Sequence, residues 1–71
     1  MIKKKHWSII LTDMRKESGL TRAQLSFLSG VGINTIENYE QFKIVEPSIY
    51  KVENLLHAMG YELDAIKKGN L

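Results

Sequence analysis

The chain has 71 residues, no cysteine, and a formal net charge of +2. A single domain of this length buries only about 60% of the surface its unfolded chain exposes, so its core has little margin. The lack of cysteine excludes disulfides and Cys/His zinc spacing and fits a reducing compartment, and no apolar run approaches the roughly 20 residues of a membrane span. The charge is unevenly placed: residues 1–22 hold six Lys/Arg against two acids, and residues 31–66 hold two Lys against six acids. The basic end is either a phosphate-facing surface or an ordinary solvated face.

The opening MIKKKHWSIIL has too short an apolar region and no small-residue cleavage site, so a secretory signal is not expected. Residues 1–5 form a short basic arm. Trp7, Ile10, Leu11 and Met14 follow the i, i+3, i+4, i+7 pattern of an amphipathic helix, predicted over 6–17, with Lys16 in the last turn where the dipole favours a cation. Trp7 is expected to anchor a core or an interface. His6 and His57 have no acid, Cys or His company in sequence and read as helix-surface residues.

The stretch Gly19 to Glu40 carries the strongest local signals. Thr21 with Gln24 three residues on is a capping box, and Leu20 with Leu25 occupies the two positions of a hydrophobic staple. These start a helix over 22–29 that turns Leu25 inward. Ser26 and Ser29 are small enough to let a neighbouring helix approach. Phe27 and Leu28 then face at least partly outward, as a docking surface or under the N-terminal arm, unless this helix is buried on several sides. Gly30-Val31-Gly32 breaks the chain, and Gly32 is an acceptable N-cap for a helix over 33–41. This third helix keeps Ile36, Tyr39 and Glu40 on one side and Asn34, Glu37, Asn38 and Gln41 on the other. An amide-rich helix face after a tight turn is what a DNA-reading helix-turn-helix presents. An amide side chain can bond both N6 and N7 of adenine, and each such contact discriminates by roughly 1–3 kcal/mol.

Residues 42–46 connect to a fourth helix that starts at Pro47-Ser48. Its apolar stripe is Ile49, Val52, Leu55, Leu56 and Met59, and Gly60 ends it. Residues 61–66 alternate apolar and polar, which favours a short strand. A lone strand leaves unpaired edges, and pairing with a second subunit would satisfy them. Residues 67–71 form a tail. No metal cluster, Gly-rich phosphate loop or nucleophile–base pair is evident, so neither a cofactor nor an enzymatic activity is expected.

Leu11, Met14, Arg15, Gly19-Leu20-Thr21, Leu25, Gly30-Val31, Ile36, Glu40, Pro47-Ser48 and the Leu55-to-Gly60 ending together resemble the helix-turn-helix domain of the phage Cro/cI-repressor family, without a gap. The resemblance covers about two thirds of the chain. The ending GYELDAI is similar to the strand that follows this domain in some antitoxin-type members and joins two subunits. The resemblance implies an all-α, lambda-repressor-like fold of four or five short helices, a homodimer on double-stranded DNA, and a cytoplasmic protein of bacterial or phage origin. It also implies roles residue by residue. Arg22 begins helix 2, where phosphate or base-edge contacts occur. Ile33, Asn34, Thr35 and Asn38 take base-facing positions of helix 3, and Gln41 and Lys43 lie in a phosphate-holding loop. Arg15 and Glu40 match an ion pair between helix 1 and the end of helix 3, with a structural role.

Three departures bear on this. Ile33 is apolar and suits only a thymine methyl or another apolar edge. Phe42 stands where the family commonly has glycine, and since a bulky residue is costly at positive φ, a different loop shape is expected. Glu37 could accept from a cytosine amino group or repel phosphate. The leading expectation is a repressor-type regulator that binds a palindromic operator as a dimer, with Lys3, Lys4 and Lys5 as arm contacts or merely a solubilising tail. The rival is an interaction module or antitoxin whose main contact is a toxin or other protein partner.

Overall fold

The computed structural model describes residues 6–61 and contains α1 (Trp7–Glu17), α2 (Arg22–Ser29), α3 (Ile33–Glu40) and α4 (Ile49–Ala58). The fold is all-α, with α2, its turn and α3 as the helix-turn-helix, and there is no strand among the described residues. The expected strand at 61–66 lies outside them except for Tyr61, as do the basic arm and the tail.

Local chemistry sets the starts of the helices. Both halves of the α2 capping box are present. The Gln24 N–H donates to Thr21 Oγ1 at 3.1 Å, and the Thr21 N–H donates to Gln24 Oε1 at 2.9 Å. For α1 the cap is a histidine, since His6 Nδ1 accepts from the Ser8 N–H at 3.1 Å. Helix α4 starts later than Pro47-Ser48 suggested: Ser48 is its N-cap and accepts from the Lys51 N–H at 3.4 Å, so Pro47 stays outside. Side-chain acceptors here satisfy donors that have no partner inside the helix.

Three helix ends share one device. The Leu20 N–H reaches the Arg15 carbonyl, Lys43 reaches Asn38, and Tyr61 reaches Leu56. This is the closing bond of a Schellman motif, which needs a left-handed residue just before the donor. Gly19 and Gly60 supply it at φ +74° and +88°. Between Asn38 and Lys43 the left-handed residue is Phe42, at φ +64°. The expectation that Phe42 avoids positive φ is therefore corrected. The strain of about 1–2 kcal/mol that a Cβ adds there is offset by the bond that closes α3 and by a ring contact with His6 at 4.8 Å. His6 in turn stacks on Trp7 at 5.4 Å, and Trp7 meets Tyr39 edge-on at 5.3 Å. A run of aromatic rings thus links the core to the loop after α3.

The core consists of Leu11, Leu25, Val31, Ile36, Tyr39 and Leu55, with Trp7, Leu20, Ile44 and Val52 packed against it. Helix α3 packs on α1 and α2, and α2 also packs on α4. The Tyr39 hydroxyl accepts from the Ser48 N–H at 3.0 Å and so ties α3 to the start of α4. Two members of the expected apolar stripes, Ile10 and Ile49, are exposed. They line a groove of about 380 Å³ between α1 and α4, bordered by Trp7, Met14, Val52 and Tyr61.

Two hydroxyls in this small fold should respond oppositely to removal. Thr21→Ala breaks the α2 capping box and should cost about 1 kcal/mol. The Ser8 side chain is fully buried, and its hydroxyl has no partner among the described residues. Ser8→Ala removes a desolvated group that gains nothing in return, so it should be neutral or stabilising. Urea denaturation midpoints of the two variants check both signs.

Candidate nucleic-acid interface

The turn between α2 and α3 is held by more than glycine. Gly30 takes φ +76°, beyond the reach of most side chains. The Ser26 hydroxyl donates to the Val31 carbonyl at 2.7 Å, and the Val31 N–H donates to the Ser29 hydroxyl at 3.1 Å. The two serines read from sequence as small spacers therefore also build the turn. Val31 is buried. The angle at which α3 leaves α2 is thus set by hydrogen bonds on both sides of a packed residue.

Helix α3 is two-sided. Ile36, Tyr39 and Glu40 are buried, while Ile33, Asn34 and Gln41 are exposed and Thr35, Glu37 and Asn38 are half-buried. Asn34, Asn38 and Gln41 follow i, i+4, i+7 spacing and share one face. Lys43 is exposed just past the left-handed Phe42. Of the positions predicted to face DNA, Ile33, Asn34, Thr35 and Asn38 lie on α3 and Gln41 and Lys43 just after it, whereas Arg22 is the first residue of α2. Lys3, Lys4 and Lys5 lie outside the described residues.

Beneath this face is an ion-pair cluster. Arg15 Nε donates to Glu40 Oε2 at 2.7 Å and Arg15 Nη2 to Glu40 Oε1 at 3.1 Å, while Arg15 Nη1 donates to the Leu20 carbonyl at 2.9 Å. Arg22 Nε also donates to Glu40 Oε1, at 2.9 Å. The side-chain exposures are 3% for Glu40, 11% for Arg15 and 33% for Arg22. The carboxylate therefore joins α1, α2 and α3. From the family resemblance, Arg15 is the expected partner of Glu40 and Arg22 an expected DNA contact, so the bond from Arg22 to Glu40 is an addition. The only available signal was that a helix-turn-helix brings the start of α2 near the end of α3.

Burial is the largest influence on the Glu40 carboxyl and opposes its charge. The hydrogen bonds from Arg15 and Arg22 and their positive charges together outweigh it, holding the group below the usual carboxylate range. Among the described residues no group of three or more His, Cys, Asp or Glu could hold a metal ion, and no helix is long and apolar enough to cross a membrane.

The chain matches the family model described as helix-turn-helix over residues 11–66. It belongs to this family, the Cro/cI-like type whose members are DNA-binding transcription regulators. The family is not an enzyme family. No curated protein and no solved structure matches the chain.

The cluster makes stability depend on pH with a definite sign. The folded-state pKa of Glu40 lies below its unfolded value, so as pH falls the unfolded chain takes up the proton first. The stabilisation is complete above the ordinary carboxylate pKa of about 4.3 and is lost as pH falls through the lower folded value. Urea midpoints measured from pH 7 to pH 3 should show this loss, and Glu40→Gln should lack that part of it. Glu40→Ala, which leaves the nearly buried Arg15 guanidinium without its carboxylate, should cost about 3 kcal/mol at pH 7.

Proposed function

We propose that this chain is a repressor-type transcription regulator that binds a palindromic operator as a homodimer, with α3 in the major groove and α2 across the backbone. The carrying observation is the two-sided α3. One side is locked into the core by Ile36, Tyr39 and Glu40, and the other offers Asn34, Asn38 and Gln41 to a partner. A reading helix needs this rigidity, because base-edge hydrogen bonds discriminate only when the side chains arrive in register. On this reading Asn34, Thr35 and Asn38 read bases, and Ile33 meets a thymine methyl. Arg22, Gln41 and Lys43 hold phosphates, with the lysine arm as further phosphate contacts. Two half-sites one helical turn apart, about 34 Å, follow from the two-fold geometry. The working compartment is then the cytoplasm of a bacterium, with the gene of bacterial or phage origin.

A second reading has its own observation. On the outer face of α2, Phe27 is 87% and Leu28 56% exposed. With Leu20, Ala23 and Gln24 they line a shallow apolar depression that the core does not use. A protein partner, such as the toxin of a toxin–antitoxin pair, would cover it, and such a protein could still bind DNA.

Fluorescence anisotropy on selected genomic fragments decides between these. DNA binding should weaken steeply with salt as counterions are released. Asn38→Ala should weaken the selected site by roughly 5- to 150-fold, the equivalent of 1–3 kcal/mol, while leaving weak binding to random DNA unchanged. No retained DNA at low salt, together with a stoichiometric protein partner on purification, would favour the second reading.

A further inference from the structure

We infer that Glu40 is a positioning residue for a DNA contact: its buried carboxylate grips Arg22 by the Nε edge and presents the rest of that guanidinium to the phosphate backbone. This rests on the DNA-binding reading above and names how one of its contacts is built.

The order of constraint is visible in the hydrogen bonds. Arg15 reaches Glu40 through two N–H groups, one to each carboxylate oxygen, and is itself anchored on the Leu20 carbonyl. Both partners of that pair are nearly or fully buried. The carboxylate therefore cannot follow Arg22; Arg22 is placed by it. A guanidinium has five N–H donors in a rigid fork. Arg22 uses its Nε donor on Glu40, and its Nη groups make no hydrogen bond among the described residues. The side chain is one third exposed, at the first position of α2. Two arginines around one carboxylate leave the cluster with a net positive charge at the edge of the helix-turn-helix. A fork held by one edge, with its other donors open, has the geometry for bidentate binding of a phosphate.

An ordinary surface arginine would attract phosphate by charge alone, and lysine would replace it. A positioned fork behaves differently. A lysine has one ammonium, which must choose between Glu40 and the phosphate. The acidic partner also reverses the usual expectation, because removing a negative charge near DNA should tighten binding, whereas losing the positioning carboxylate should weaken it.

The test measures operator affinity and its salt slope for wild type, Arg22→Lys, Arg22→Gln, Glu40→Gln and the double variant, each first shown to be folded by circular dichroism. Arg22→Lys and Arg22→Gln should both weaken binding roughly tenfold, and Arg22→Gln should lower the salt slope by about one. Glu40→Gln should weaken binding despite the removed negative charge, and its penalty should largely disappear in the Arg22→Gln background. Wild-type affinity and slope in Arg22→Lys would overturn the inference, since charge alone would then suffice. So would a Glu40→Gln penalty that persists in full without Arg22, which would mean that the carboxylate acts only by seating α3. If Glu40→Gln does not fold, Arg22→Lys against Arg22→Gln still decides. Absence of DNA binding by the wild type would remove the underlying reading together with the inference, whereas a wild type that binds and an indifferent Arg22→Lys would remove the inference alone.

Discussion

A carboxylate buried at the last residue of α3 is the constraint on which the rest of this small protein depends. Glu40 is desolvated, and desolvation alone would drive it neutral. Two arginines from two other helices keep it charged. Because the charge survives only with those partners in place, α1, α2 and α3 have to meet in one arrangement. A hydrophobic contact tolerates small shifts, whereas a paired buried ion does not, so the cluster adds geometric definition to a core of modest size. The outer face of α3 inherits that definition.

The ends of the helices supply the second set of constraints. Left-handed residues close α1, α2, α3 and α4, three of them through the same long hydrogen bond. At α3 the position holds Phe42, and the ring has work that glycine could not do. It packs on the ring of His6, which caps α1 and stacks on Trp7. The loop that carries Gln41 and Lys43 is thereby fastened to the start of α1 by side-chain contacts. A backbone strain is retained because the contacts around it favour that conformation.

The protein also keeps apolar surface outside its core, in the groove between α1 and α4 and on the outer face of α2. Such surface is costly to expose in a chain with so small an interior.

Much of this was legible in the residues. The capping box of Thr21 and Gln24, the breaks at Gly30 and Gly60, and the apolar side of α3 all rest on spacings of a few positions, so local order is enough to specify them. The helix-turn-helix followed from the same short-range order, and the family from a resemblance that those residues carry. What tertiary structure decided lies between elements. Arg22 is 18 positions from Glu40, and no local pattern distinguishes an arginine aimed at solvent from one whose Nε is held by a buried carboxylate. Phe42 reads as a poor left-handed residue until His6 is brought beneath it. Ile10 and Ile49 read as core members by periodicity and are exposed because the helices facing them leave a groove. Sequence by itself determined the four helices to within a residue or two and most of the side each one buries, because those rest on short-range hydrogen bonds and a 3.6-residue period. Only the packing of the helices decided which charges meet and which apolar residues stay uncovered, because both depend on distances between segments that the chain order does not contain.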